Sequence, residues 1–258
     1  MIVIKQENAR ILLGIKSMLI KYIKNELYLA KIYKFLREIA LVAIFFVGVA
    51  GFNAAYCFEK NSTTELASNL KVGDLIFIRI PTLPFKKIAQ DTNSWTNHVG
   101  IVESLVDGEP LIAESTFPTS TITHFVKFLS RSEGGRVAVK RLNKELSDIE
   151  KERLSEAAYN NMGIFYDTGF DINSKRQFCS RFVREVLNYA TGVKVGKIEN
   201  LKTLFADNPD ADLIFWRVWY LGFIPWERET VTPASILEDN TNLNFVFDGF
   251  IIEDEVFL

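Results

Sequence analysis

Two short segments carry the residue types that a cysteine nucleophile requires. Cys179 lies at the start of a predicted helix, and His98, 81 positions earlier, lies at the start of a predicted strand. A thiol attacks a carbonyl only as the thiolate, and both a helix N-terminus and a neighbouring imidazole favour that form. The whole chain holds only two His and two Cys, so few other pairs are available. We therefore predict a Cys–His couple for nucleophilic catalysis, with His98 taking and returning a proton.

A third polar group usually fixes the orientation of a catalytic imidazole. Glu114 is the first candidate, because it ends the strand that follows the His98 strand and should lie beside its start. Ser115 and Asn97 are alternatives for the same position. The sequence thus predicts a catalytic set of Cys179, His98 and Glu114.

An oxyanion formed at the attacked carbonyl needs hydrogen-bond donors. The backbone N–H groups of the first helical turn, at Cys179 and Ser180, can supply them, and the hydroxyl of Tyr166 is a further candidate donor. Residues 212–227 hold three tryptophans, among them Trp219. This segment is either a buried helix or hairpin, or an apolar wall for an acyl chain or a bilayer, so Trp219 is a candidate substrate-binding residue.

The sequence contains no motif that is typical of a metal site or of a disulfide framework. No CxxC or HExxH motif is present. Two separated His and one cysteine in the body do not make an ordinary zinc site. We expect no metal and no cofactor, no disulfide framework, and a structural or exposed role for His124.

The apolar periodicity indicates which elements hold these residues. Short β-branched runs predict strands, and spacings of three and four predict two amphipathic helices. The mixture is typical of an α+β fold with an antiparallel sheet. The predicted strands are 75–80, 99–103, 111–114 and 136–142, and the helices are 146–162, capped by Ser147, and 180–189, ending before Gly192.

The first 57 residues form a basic and apolar leader. They carry eight Lys/Arg against three Asp/Glu, and residues 39–57 contain no charged side chain. A basic flank before an uncharged run is typical of a signal peptide or membrane anchor, although a buried helix is the alternative. We therefore expect a protein of the bacterial cell envelope that contacts the membrane through 39–57 if the leader is not cleaved. Translation from Met1 or from Met18 fits this pattern.

The remaining chain is long enough for one hydrophobic core. We predict a linker at 58–69 and a hydrolase domain at 70–258. Outside the leader, acidic residues exceed basic ones by seven. A body of that charge, without a basic stripe, repels phosphate backbones, so nucleic-acid binding is not expected.

The motifs resemble those of a known enzyme family. Gly73–Phe77 followed by His98–Val102 is similar to the core of the NlpC/P60 cysteine hydrolases, which have a papain-like fold. In ordinary members the cysteine helix lies upstream, whereas here Phe178–Ser180 lies downstream, after Tyr166–Asp167. That order, with residues 231–236 and an aromatic-rich strand near the end, resembles the circularly permuted YiiX/YebB-like branch. The likeness covers about residues 70–250.

The resemblance implies a permuted papain-like fold in which an antiparallel sheet packs against helices, including the cysteine helix. It also implies Cys179 as nucleophile, His98 as general base and acid, and Glu114 as the polar third member. Arg181 departs from the acidic residue that the family often has two positions after the cysteine. Arg181 either supports the thiolate or points to solvent.

Three functions fit these residues. The first is hydrolysis of an amide or ester through an acyl-enzyme, with peptide amides of cell-wall material as the default substrate. The second is lipid-directed acyl hydrolysis or transfer at the same site. The third is a non-catalytic, membrane-anchored binding module.

Overall fold

The computed structural model describes residues 59–252. The expected leader (1–57), including Met18, Cys57 and the run 39–57, lies outside these residues. Between residues 59 and 252, no helix is both long and apolar enough to cross a membrane.

A seven-stranded sheet forms the centre of the fold, in the order β1-β9-β6-β2-β3-β4-β5. Neighbouring strands are antiparallel except for the edge pair β1 and β9, which is parallel. A separate two-stranded sheet pairs β7 with β8. The strands are β1 Glu59–Ser62, β2 Leu75–Ile78, β3 His98–Val106, β4 Glu109–Glu114, β5 Thr121–His124, β6 Arg136–Leu142, β7 Ile198–Asn200, β8 Glu229–Val231 and β9 Leu243–Ile252.

Helices cover both faces of the large sheet. The longest two, α4 and α5, pack on one face, while α1 and α3 contribute to the core of the other. The helices are α1 Thr63–Asn69, α2 Leu83–Asp91, α3 Phe125–Leu129, α4 Asp148–Asn160, α5 Cys179–Thr191, α6 Leu201–Ala206, α7 Leu213–Trp219 and α8 Pro233–Leu237.

The sequence of β2 explains why both faces are covered. All four residues of this central strand are apolar and buried. Successive side chains of a strand point to opposite faces, so Leu75 and Phe77 enter the core beneath α5, while Ile76 and Ile78 enter the opposite core. A continuous apolar run of this kind is stable only between two packed layers.

The Gly-Asp motif before β2 is a structural turn. Gly73 has a φ of +93°, which favours glycine, and a Cβ at this position would lie 2.6 Å from the Leu146 side chain. The buried Asp74 carboxylate accepts from Arg141 Nε and Nη2, both at 2.7 Å, and from the N–H of Lys71 at 2.8 Å. The motif therefore fixes the start of β2 and does not reach the thiol site.

The elements predicted around the site are found with modest changes of length. The β3–β4 hairpin turns at Asp107 and Gly108, where both φ values are positive (52° and 85°), as a tight hairpin requires. Ser147 caps α4 in a reciprocal capping box with Glu150. The cysteine helix α5 ends at Gly192 in a left-handed conformation.

The predicted linker at 58–69 requires a correction. From Glu59 onwards this segment forms β1 and α1, and Leu66 is buried in the core beside Leu70. The polar composition of the segment does not predict this helix, because Leu66 is its one buried residue.

Candidate active site

Cys179 is the first residue of α5 and is almost fully buried. Its N-cap residue, Phe178, provides no side-chain hydrogen bond to the first turn. The backbone N–H groups there remain available for an anion. Two backbone groups, the N–H of Ser180 and that of Val99, act on the sulfur and stabilise its thiolate form.

His98 begins β3 and is fully buried against the rings of Phe85 and Phe128. Its Nε2 lies 2.6 Å from Oε2 of Glu114. Among the described residues its Nδ1 makes no hydrogen bond, and Cys179 is the other group whose charge acts on the ring. The imidazole therefore lies between a carboxylate and a thiol, as proton transfer requires.

Strand register brings Glu114 to His98. Ile101 pairs with Ala113, so Glu114 lies opposite Gly100 and diagonal to His98 on the same face of the sheet. The close packing on this face requires glycine at position 100, because a Cβ there would lie 2.5 Å from the Ile112 side chain. The sequence-predicted trio is thus brought together by two neighbouring strands and one helix start.

The carboxylate of Glu114 has two further partners that sequence reasoning missed. Arg131 Nη2 lies 2.7 and 2.9 Å from its two oxygens, and the Thr123 hydroxyl donates to it at 2.6 Å. Arg131 follows α3 and Thr123 lies on β5, and neither stands in a motif. Only the packing of α3 and β5 beside β4 places them here.

The charges of this cluster shift the pKa values in a consistent direction. Burial lowers the pKa of His98, but the Cys179 thiolate and the Glu114 carboxylate outweigh it and raise that pKa to about 9. Burial raises the pKa of Glu114, yet His98 and Arg131 bring it down to about 2. Burial also raises the pKa of Cys179, and the imidazolium together with the two backbone N–H groups lowers it below the ordinary thiol value. The arrangement thus favours a thiolate–imidazolium pair.

Tyr166 lies beside the sulfur as well. Burial, together with the charge of the Cys179 thiolate and a hydrogen bond to it, raises the pKa of the Tyr166 phenol well above its usual value. The hydroxyl therefore stays protonated and is a hydrogen-bond donor at the point of attack.

Ser180 places its backbone N–H at the thiol as expected, whereas Trp219 does not line the site. The Ser180 hydroxyl donates to the carbonyl of Val231 at 2.7 Å, so only its backbone N–H faces the thiol. The Trp219 indole N–H donates to the carbonyl of Thr168 at 2.8 Å, and the ring stacks on Phe215. On the amphipathic α7, Trp216 points inward instead, one helical turn before Tyr220.

The two alternatives to Glu114 do not reach the imidazole. The Asn97 amide pairs with the backbone of Ile80, at 2.8 and 3.0 Å. The Ser115 hydroxyl is buried and makes no hydrogen bond to His98 or to any other described residue. Glu114 is therefore the polar group that orients His98.

Arg181 turns away from the thiol. Its guanidinium pairs with Glu185 at 2.7 Å and binds the carbonyls of Ser174 and Arg176. It therefore fixes the loop that precedes the cysteine helix, and it does not act on the thiolate. His124 is exposed and lies 2.9 Å from Glu109.

An apolar cavity of about 40 Å³ adjoins Cys179. Its walls include Tyr166, Trp216 and Tyr220, but not Trp219. The tryptophan that lines the cavity is therefore Trp216 and not the predicted Trp219.

Comparisons with known proteins identify the family and the fold. A family model described as the permuted papain-like amidase enzyme, YaeF/YiiX, C92 family, matches residues 69–247. The Escherichia coli K12 protein YiiX, described as uncharacterized, is 26% identical over 177 residues, which cover 69% of this chain and 86% of YiiX. A crystal structure of yiiX from Escherichia coli O157:H7 superposes with a TM-score of 0.65 at 26% identity, covering 70% of this chain and 99% of that one.

The yiiX of that crystal structure is described as a metalloprotein. In this chain, residues 59–252 contain no group of three or more His, Cys, Asp or Glu side chains placed to hold a metal ion. The fold and the permuted order expected from the motifs are confirmed. The chain belongs to the YaeF/YiiX family of permuted papain-like amidases.

Proposed function

We propose that this protein is a cysteine hydrolase that cleaves an amide or ester bond through an acyl-enzyme at Cys179. The observation that carries the proposal is the buried Cys179 thiol at a helix start, beside a His98–Glu114 pair joined at 2.6 Å. Membership of an amidase family supports the class of reaction.

The residues suggest a simple sequence of steps. The Cys179 thiolate attacks the carbonyl carbon, and the oxyanion is held by backbone N–H groups of the first turn and by the Tyr166 hydroxyl. The His98 imidazolium donates its proton to the leaving amine or alkoxide, and the C–N or C–O bond breaks. Neutral His98 then takes a proton from water, whose hydroxide attacks the thioester and releases the acid and the Cys179 thiolate.

Glu114 acts through His98. A carboxylate at Nε2 holds the ring orientation and stabilises the imidazolium that the first step needs. Arg131 and Thr123 in turn fix that carboxylate. These two residues are positioning residues.

The substrate and the location also belong to the proposal. The basic and apolar leader favours action at the cell envelope, with membrane contact through 39–57 if the leader is retained. The substrate would then be a peptide amide of cell-wall material or another small molecule, and the acidic body disfavours nucleic acid. Fractionation of cells that express the full chain tests the location, and recovery in the cytosol alone would contradict it.

Lipid-directed acyl hydrolysis or transfer is the second candidate. The apolar cavity of about 40 Å³ next to Cys179 favours it for a short acyl group, because such a group needs an apolar wall. A non-catalytic binding module is the third, and it requires an ordinary thiol at Cys179.

The first experiment measures the rate of iodoacetamide alkylation of Cys179 against pH, in residues 58–258. The depressed thiol pKa predicts fast alkylation at pH values below the ordinary thiol pKa of about 8.5, since the thiolate is the reactive form. In His98→Ala the alkylation midpoint should rise toward about 8.5, the value of a free cysteine. His124→Ala is the matched control and should leave the profile unchanged, because that ring is exposed and paired with Glu109.

A midpoint near 8.5 in the unmodified protein, unmoved by His98→Ala, would exclude the couple and favour the binding module. Turnover is tested separately with Cys179→Ala. That variant should lose all hydrolysis of any amide or ester that the unmodified protein cleaves, and retention of activity would refute the acyl-enzyme.

A further inference from the structure

We infer that the cavity beside Cys179 receives a short, uncharged, apolar acyl group, and so selects the acyl side of the substrate. This rests on the proposed function and names the substrate class of the same site.

The surface that lines the cavity is almost wholly apolar, although polar residues, among them Asp91, Asn97 and Thr230, also border it. Most of its apolar side chains come from the loop before α5, from α6 and from α7, three segments that pack around the start of the cysteine helix. Several of the rings meet edge to face, with centroids about 6 Å apart, which holds the walls in place. The principal lining side chains are Phe170, Phe178, Leu201, Leu204, Phe205 and Trp216.

The one carboxylate in the wall is already engaged. Asp91 is 1% exposed, and its two oxygens accept from the Trp216 indole N–H at 2.5 Å and the Asp212 N–H at 3.0 Å. It is therefore committed to holding α7 against α2 and offers no free carboxylate to a substrate cation. A charged acyl group would lose its hydration in this cavity without gaining a counter-ion, at a large cost.

The volume limits the length of the group. At about 40 Å³ the cavity has space for about three water-sized groups, because one water needs about 10–15 Å³. An acyl substituent of about two to four carbons fits, and a long chain does not.

The order of the two steps indicates that the cavity binds the acyl side of the substrate and not the leaving group. The acyl carbon is bonded to the Cys179 sulfur between the two steps, so its substituent must stay within a few ångströms of the thiol. The leaving group departs after the first step and needs a route to solvent. A small apolar space that includes Cys179 and Tyr166 in its wall therefore suits the retained part.

The test uses p-nitrophenyl esters of straight-chain acids from acetyl to decanoyl, with succinyl as a charged acyl group. Each CH₂ that enters the cavity should raise kcat/KM about fourfold, up to an optimum near butyryl or pentanoyl. Longer chains should then fall, and the succinyl ester should be poorer than butyryl. Mass spectrometry of the acylated protein at each length reports the acyl-enzyme directly.

Variants at Leu204 move the optimum in opposite directions. Leu204 lines the cavity but is only partly buried, so both changes should fold. Leu204→Ala should shift the best ester to a longer chain, and Leu204→Phe should shift it to a shorter one. Ile214→Ala is the matched control: Ile214 is 81% exposed on α7, and its truncation should leave the optimum unchanged.

Two failures are distinguishable. Acylation of Cys179 with equal kcat/KM at all chain lengths, or with a preference for succinyl, would overturn the cavity assignment and leave the hydrolase intact. No acyl group on Cys179 with any ester would overturn the proposed function itself. A chain-length effect that follows the alcohol rather than the acid, in a matched series of alkyl acetates, would assign the cavity to the leaving group and refute the inference.

Discussion

At the scale of single residues, the site is a row of alternating charges in the buried interior. Thiolate, imidazolium, carboxylate and guanidinium follow one another from Cys179 through His98 and Glu114 to Arg131. A buried charge is stable only when it is paired and hydrogen-bonded. Cys179, His98 and Glu114 therefore set one another's charge states, and Arg131, which is partly exposed, lies at the solvent end of the row.

Glu114→Gln tests this row of charges. Removal of the carboxylate charge takes away a group that raises the pKa of His98, so that pKa should fall below about 9. His98 would then lose its proton at lower pH, and the alkaline limb of the pH–rate profile for amide hydrolysis should move to lower pH. We expect kcat/KM to fall by about 10²-fold, because the general acid becomes scarce. The pH–rate profile of kcat/KM measures both effects.

Glu109→Gln is the control, since it makes the same change at an exposed carboxylate outside the site. An alkaline limb that stays in place in Glu114→Gln would show that Glu114 does not set the proton affinity of His98.

At the scale of elements, the site depends on the start of one helix and the start of one strand. The α5 N-terminus supplies backbone N–H groups, and the β3–β4 register supplies the His98–Glu114 contact. The spacing of the elements is tight because Gly100 faces Ile112 and Phe128 without a side chain. Small changes in the packing of this sheet should therefore alter the reactivity of Cys179.

Gly100→Ala tests the tight packing. The new methyl group would lie 2.5 Å from Ile112 and 2.8 Å from Phe128, so one of these must move. We expect a loss of about 1–3 kcal/mol in the free energy of unfolding. Because Phe128 packs on the His98 ring, the alkylation midpoint of Cys179 should also rise.

Thr121→Ala, an exposed position on the edge strand β5, is the reference substitution. Urea unfolding and alkylation against pH are the two measurements. Unchanged stability in Gly100→Ala would contradict the prediction, because it would show that this face of β3 can hold an additional methyl group.

At the scale of the whole molecule, the order of the motifs along the chain does not matter for the site. The helix that carries Cys179 follows the His98 strand in sequence but packs against it in space. A papain-like site needs only that the helix start meets the strand start. Permutation is therefore compatible with the same chemistry.

Truncation tests where the folded unit begins. Residues 58–258 should fold with a depressed Cys179 pKa, whereas 70–258 lacks β1 and α1. Loss of Leu66, which is 1% exposed, and of the β1 pairing with β9 should lower the stability by several kcal/mol. Thermal melting of the two forms measures this, and equal melting temperatures would restore 58–69 as a linker.

The sequence by itself determined the chemistry-bearing residues and the local elements that hold them. Cys179 at a helix start, His98 at a strand start and Glu114 at the next strand end follow from periodicity, which depends on near neighbours in the chain. The resemblance to a known family implied their catalytic roles. The turn at Gly73, the hairpin at Asp107 and the Ser147 cap have the same local origin.

Only the tertiary structure decided which distant side chains complete the site. Arg131 and Thr123 reach Glu114 from separate elements, and Trp216 rather than Trp219 faces the cavity because of how α7 is rotated against α2. The sequence of a helix shows which residues share a face, but not which face packs against the core. That choice is made by packing between elements far apart in sequence, which no local pattern contains.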